Sequence, residues 1–114
     1  MSTEKDVVEM TWSSGSIDEA RKVTRFLVQE GHVASAQIVP WVETISLLDG
    51  NLETEQETRV VMLTKESEVE AVKSVIEENT TYELPVITWT HIDGANKDSV
   101  EWVNQSVTEV SSKK

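Results

Sequence analysis

Cysteine is absent from this sequence of 114 residues. Its absence excludes disulfide bonds, zinc–cysteine centres, iron–sulfur clusters and catalysis by a thiol. A chain without cysteine is also compatible with a reducing compartment. The length is that of one domain, which is large enough to bury a core without a metal or a disulfide. We therefore expect a single domain over residues 6–110, with flexible ends at residues 1–5 and 111–114.

Positive charge is scarce, and long apolar runs are missing. The sequence has 10 Lys and Arg residues against 21 Asp and Glu residues, which gives a formal net charge of −11. Such a charge repels phosphate backbones and argues against nucleic-acid binding. Apolar stretches such as residues 60–63 are far shorter than the ~20 residues of a membrane helix. Because the first residues also lack the pattern of a signal peptide, we expect a cytoplasmic protein with no membrane segment.

The few glycines and prolines fall at the boundaries of periodic segments. Ser16 and Glu19 have the spacing of a capping box, which predicts the start of a helix, and Ser67 and Glu70 repeat it. β-rich segments precede and follow both helices. The predicted order is β-α-β-β-α-β, followed by a short helix from Asp98 to about residue 110. This order is typical of an α+β, ferredoxin-like sandwich with two helices on one face of an antiparallel sheet.

The middle hairpin is long for so small a domain. Residues 33–48 and 52–65 form two extended segments joined by Asp49 and Gly50, a pair that favours a tight hairpin turn. A change in the apolar phase near Pro40 predicts a bulge or bend. Strands of about 5–6 residues are typical, so this hairpin extends beyond its own sheet. Bare strand edges are normally covered, and we therefore predict a homo-oligomer assembled through these arms.

Several segments together resemble the CutA family of divalent-cation-tolerance proteins. The segments are residues 34–40, 49–52, 63–65, 82–85 and 98–103, together with Glu57. The resemblance implies the same fold, a compact homotrimer with paired hairpin arms, and a role in metal tolerance. It also implies Cu²⁺ or Zn²⁺ as the metal ion.

The sequence departs from the family pattern at positions that carry metal chemistry. Ser35 stands where relatives commonly have cysteine, and Thr80 where they have histidine. Copper(I) selects thiolate and imidazole ligands, which neither residue supplies. Ser46, Leu48 and Val86 replace a tyrosine, a tryptophan and a glutamate of the family pattern. The resemblance therefore implies the fold and the trimer more directly than it implies copper binding.

Glu53, Glu55 and Glu57 alternate along the return strand and project from one face. Three carboxylates could collect a hard cation such as Ca²⁺ or Mg²⁺. The alternative is a solvated strand face, which is the commoner meaning of such a pattern.

Lys65 ends an apolar strand and matches a lysine of the family pattern. With Glu57, Tyr82 and Trp102 it could line a cleft between subunits, since ligand sites favour such interfaces. The alternative is an ion pair between subunits. The only histidines, His32 and His91, are far apart in the sequence and are more typical of structural residues.

No nucleophile elbow or phosphate loop is present, which argues against an enzyme. The leading hypothesis is a non-enzymatic, trimeric CutA-like protein in divalent metal tolerance. One alternative is a PII-like trimeric sensor that binds a small ligand in the cleft between subunits, and another is an inactive scaffold.

Overall fold

The computed structural model describes residues 6–107, and it confirms the predicted order of strands and helices. The predicted flexible ends, residues 1–5 and 111–114, lie outside this range, as do residues 108–110 of the predicted domain. The elements are β1 (Val7–Ser14), α1 (Ile17–Gln29), β2 (Ser35–Leu48), β3 (Asn51–Lys65), a 3-10 helix (Glu66–Glu68), α2 (Val69–Asn79), β4 (Val86–His91) and α3 (Lys97–Ser106).

The four strands form one antiparallel sheet in the order β2-β3-β1-β4. Alternate residues of β1, namely Val8, Met10 and Trp12, are fully buried beneath α1 and α2. The helices contribute apolar stripes at three-to-four-residue spacing, including Ala20, Val23 and Leu27 of α1 and Val72 and Ile76 of α2. Apolar residues thus repeat every second position on the strands and every three to four positions on the helices. The two apolar faces pack against each other and form one core between the sheet and the helices.

The start of α1 follows the predicted capping pattern only in part. The Ser16 hydroxyl accepts a hydrogen bond from the Glu19 amide at 3.1 Å. Glu19 does not reach back to Ser16; its carboxylate instead accepts from the amide of Thr81 at 3.0 Å and 3.2 Å. Glu19 therefore fastens the loop between α2 and β4 to the start of α1.

The second predicted capping box is wrong. Ser67 lies inside the 3-10 helix, and neither this helix nor α2 has a side-chain cap hydrogen bond. The neighbouring Glu68 is fully buried and bonds to His32. The chain forms a 3-10 helix here, and this helix directs the Glu68 side chain into the core. A capping box would instead leave the segment at the surface.

The hairpin has the predicted turn and the predicted bulge. Asp49 (φ 52°) and Gly50 (φ 82°) are both left-handed, as a two-residue type I′ turn requires. Val39 pairs with Arg59 and Val42 with Glu57, so Pro40 and Trp41 together oppose Thr58. A proline, which cannot donate to the ladder, suits such a bulge. The extra residue turns Val42 and Thr44 to the strand face that carries Glu55 and Glu57.

A smaller cluster lies on the other face of the sheet and holds α3. Val103 and Val107 pack with Val7 and Ala34, next to Leu63. Trp102 is 44% exposed, so valines rather than this tryptophan attach α3 to its own sheet. None of the helices in residues 6–107 is long and apolar enough to cross a membrane.

Candidate functional site

The arm carboxylates meet Tyr82 where the long hairpin leaves the sheet. The Tyr82 hydroxyl donates to Glu57 Oε2 at 2.8 Å and lies 3.1 Å from Glu55 Oε2. Thr44 Oγ1 donates to the other Glu57 oxygen at 2.7 Å. Because a phenol has one proton to donate, the shorter bond to Glu57 is the principal one, and Glu55 shares it. Two side chains thus orient the Glu57 carboxylate.

Gly15 makes room for the Tyr82 ring. A Cβ atom at Gly15 would lie 2.5 Å from Tyr82 Cε1 and 2.7 Å from Cζ, closer than packed carbon atoms approach. The ring therefore rests on bare backbone just after β1. An alanine at position 15 would push the hydroxyl away from Glu57.

A hollow of about 190 Å³ lies beside this cluster. Its lining consists of Gly15, Ile17, Pro40, Trp41, Gln56, Glu57 and Thr58. The Trp41 ring is 72% exposed and its backbone is left-handed (φ 65°), an uncommon conformation for a bulky residue. The bulge thus presents an aromatic ring beside an oriented carboxylate.

Within one chain, the residues of the predicted cation site and those of the predicted cleft are not all close together. Glu55 and Glu57 lie together at Tyr82, whereas Glu53 is exposed farther along the arm. Within residues 6–107, no three His, Asp or Glu side chains are grouped so that they could hold a metal ion. Lys65 pairs with Val7, eight residues beyond Glu57 on β3 and roughly 27 Å away at the usual strand rise.

Within a single chain, the residues of the predicted cleft therefore lie in two separate places. Glu57 and Tyr82 form one group, while Lys65 lies near the end of the sheet on which the valines of α3 pack, and Trp102 of α3 is partly exposed. A cleft that unites all four residues stays a prediction about a second subunit.

Both histidines form pairs with glutamates. His32 Nδ1 lies 2.9 Å from Oε1 of the buried Glu68, and His91 Nε2 lies 2.7 Å from Glu66 Oε1 at the surface. The sequence pointed to structural histidines but gave no partner for either. Gly15 and Thr44 were missed for the same reason, since each acts through a residue distant in the sequence.

The pKa of Tyr82 is raised above its ordinary value of 10.0. Burial is the largest cause, followed by the hydrogen bonds to Glu57 and Glu55 and then by their negative charges. Since the folded chain holds this proton more tightly than the unfolded chain, the resulting stabilisation is complete below pH 10. It is lost as the pH rises above 10 toward the raised value.

We expect Glu57→Gln to lower the pKa of Tyr82 toward its ordinary value. Tyr82 is the only tyrosine in the chain, so absorbance of tyrosinate near 295 nm reports it directly. The substitution removes one negative charge and a charged hydrogen-bond acceptor. Glu53→Gln, which removes the same charge elsewhere on the arm, is the matched control and should leave the titration near that of the wild type. Equal shifts in both variants would contradict the assigned contacts.

A family described as CutA1 divalent ion tolerance protein matches residues 7–106. Among curated proteins, the chain is 25% identical over 92 residues to Protein CutA 1, chloroplastic, of Oryza sativa subsp. japonica. This match covers 81% of the chain and 52% of the rice protein. Protein CutA, chloroplastic, of Arabidopsis thaliana is also 25% identical, over 89 residues, which cover 78% of the chain and 49% of that protein. The chain spans about half the length of these curated relatives.

Solved structures share the fold. CutA1 from Oryza sativa has a TM-score of 0.88 at 21% identity, with 94% of this chain and 99% of that chain covered. CutA1 from Ehrlichia chaffeensis has a TM-score of 0.86 at 17% identity, covering 93% and 99%. The periplasmic divalent cation tolerance protein CutA from Archaeoglobus fulgidus has a TM-score of 0.84 at 19% identity, covering 90% and 99%.

Proposed function

Because the chain belongs to the CutA1 family of divalent ion tolerance proteins, we propose that it is a homotrimer that acts in the response to divalent metal ions without catalysing a reaction. The observation that carries the assembly is the apolar hairpin arm. Ile45, Leu47, Leu48 and Leu52 are each 61–72% exposed near the hairpin tip, and the cross-strand pair Leu47 and Leu52 shares one face with Ile45. A contiguous exposed apolar surface of this kind is typical of an interface.

The edges of the sheet support the same conclusion. β2 and β4 are the outer strands, and within residues 6–107 neither pairs on its outer side. Natural proteins cover, shorten or charge such edges. On β4, the apolar Val86 and Trp89 are also substantially exposed. Pairing between subunits would cover the edges and the arms together.

The residues of one subunit do not fit a tight copper site. The chain has no cysteine, and Ser35 stands where the family pattern has one. The Glu57 carboxylate already accepts hydrogen bonds from Thr44 and Tyr82 on its two oxygens. A metal at this carboxylate would compete with both hydroxyls. The proposed role in metal response therefore involves at most weak binding of ions such as Cu²⁺ or Zn²⁺.

A PII-like nucleotide sensor has less support. Polyphosphate ligands need clustered positive charge, whereas the Tyr82 group presents Glu55 and Glu57. An inactive scaffold with the same assembly remains the second alternative. We also propose a cytoplasmic location. The relatives differ in this respect, because the plant proteins are named as chloroplastic and the Archaeoglobus fulgidus protein as periplasmic.

Light scattering coupled to size-exclusion chromatography tests the assembly. We expect a particle about three times the 12.8 kDa mass of the chain at micromolar concentration. The trimer should persist in high salt, because apolar arms rather than surface ion pairs hold it together. A monomer or a dimer under these conditions would overturn the proposal.

A further inference from the structure

The outer face of α1 concentrates positive charge in a chain that is otherwise acidic. Arg21, Lys22 and Arg25 lie within little more than one helical turn, and all three are exposed. None of them forms a salt bridge with another residue in the part of the chain that the structure describes. With a net charge of −11, the chain has acidic side chains in excess. These three cations are therefore available to an external anion.

An apolar groove adjoins the cations between α1 and α2. It has a volume of about 270 Å³ and is lined by Lys22, Val23, Phe26, Val75 and Asn79. Phe26 is 49% exposed, and the centroid of its ring lies 6.2 Å from that of the His32 ring. Lys22 and Phe26 also line a neighbouring hollow with Arg21, Arg25 and Gln29, and Asp18 contributes one carboxylate to the same lining. The charged and apolar surfaces are thus continuous.

We propose that this surface, the α1 basic face (Arg21, Lys22, Arg25 and Phe26), docks an acidic peptide segment of a partner protein. Arginine guanidinium groups bind carboxylates through two parallel hydrogen bonds. Arg21 and Arg25 are one helical turn apart, about 6 Å between Cβ atoms, which suits successive carboxylates of a peptide. One apolar side chain of the peptide enters the groove beside Phe26.

The charge around the groove favours a short peptide over a nucleic acid or a membrane. Across the groove, α2 carries Glu70, Glu77 and Glu78 against the single cation Lys73, which pairs with Glu70 at 3.0 Å. A long polyanion or an anionic membrane covers both helices and meets these carboxylates. A peptide can follow α1 alone. The surface lies on the helical layer and borders the start of β2, where Arg21 and Arg25 line a further hollow with Ala36 and Ile38.

Fluorescence anisotropy of a labelled peptide tests the proposal. The probe is a peptide of about a dozen residues with several glutamates around one central phenylalanine, a length that can span the exposed turns of α1. We expect it to bind the unsubstituted 114-residue chain with an affinity that falls as salt rises. Arg21→Gln with Arg25→Gln should weaken binding about tenfold. Arg59→Gln with Lys97→Gln removes the same charge elsewhere and should leave binding nearly unchanged.

Three further measurements separate specific docking from other outcomes. Replacing the peptide's glutamates with glutamine should abolish binding, and Phe26→Ala should weaken it without lowering the melting temperature appreciably. Anionic vesicles and a single-stranded oligonucleotide are tested in parallel. The proposal is overturned if the peptide does not bind at millimolar concentration, or if the Arg21/Arg25 variant and the Arg59/Lys97 control lose affinity equally. It is also overturned if only the vesicles or the oligonucleotide bind through Arg21 and Arg25.

Discussion

Leu47→Glu together with Leu52→Glu is expected to convert the proposed trimer into monomers that keep their fold. The two leucines are a cross-strand pair at the arm tip, and they are 71% and 72% exposed in the single chain. Burial of a leucine contributes about 1.5–3 kcal/mol, and a carboxylate at the same place adds a desolvation cost. Because every subunit carries both changes, the penalty is repeated at each arm of the assembly. Within one chain, exposed positions tolerate glutamate.

Light scattering at several concentrations measures the mass, and circular dichroism verifies the fold. Gln29→Glu with Ser74→Glu adds the same negative charge on the exposed helical layer and serves as the matched control. The control should remain trimeric if apolar contact at the arm tip, rather than net charge, holds the subunits together. A trimer that survives both glutamates at the tip would place the interface elsewhere. Loss of assembly in both variants would point to general charge repulsion.

The arrangement of elements could be predicted because local chemistry determines it. Ser16 accepts the amide of Glu19 as the capping pattern predicts, and Asp49 with Gly50 adopts the two positive φ angles of a tight hairpin turn. The bulge at Pro40 could be predicted because alternation of apolar residues breaks there. Each of these signals lies within a few residues of the feature that it specifies.

Features that join distant segments could not be predicted in the same way. Gly15 reads as a strand terminator, yet it also accommodates the Tyr82 ring. Glu68 belongs to a segment predicted as a capping box, yet it is fully buried and its Oε1 lies 2.9 Å from His32 Nδ1. Periodicity describes which face a residue occupies, but it carries no information on which loop covers that face.

The candidate site shows both situations. Alternation along β3 correctly places Glu55 and Glu57 on one face, where both meet Tyr82. The same alternation puts Lys65 on that face, but Lys65 lies eight residues farther along β3 than Glu57. The predicted cleft rests on the family resemblance of Lys65, Glu57, Tyr82 and Trp102, which within one chain are spread over β3, the loop before β4 and α3. Only a neighbouring subunit could bring the two groups together.

His32→Ala is expected to destabilise the chain by about 3 kcal/mol, whereas His91→Ala should change stability by less than about 1 kcal/mol. Both histidines lie within hydrogen-bond distance of a glutamate, at 2.9 Å and 2.7 Å. The difference is burial, since the Glu68 side chain is fully buried and that of Glu66 is 53% exposed. Without the imidazole, the fully buried Glu68 carboxylate loses a hydrogen bond at a position that has no exposure to solvent. Water solvates Glu66 whether or not His91 is present.

His32 also holds three elements together, which adds to the expected effect. Its carbonyl accepts from Thr64 Oγ1 at 2.6 Å at the end of β3, while its ring bonds to Glu68 just before α2. Its amide donates to the Leu27 carbonyl at the end of α1. The backbone bonds can persist in His32→Ala, so the measured loss belongs mainly to the ring and its carboxylate partner.

Urea denaturation at one fixed protein concentration measures these free energies, since the stability of an oligomer depends on concentration. The decisive comparison is His32→Ala in a Glu68→Leu background. If the imidazole stabilises the chain through its bond to the buried carboxylate, its removal should cost much less once that carboxylate is gone, because the two residues form one coupled unit. An equal cost in both backgrounds would mean that His32 acts through packing alone. A cost at His91 as large as that at His32 would refute burial as the cause.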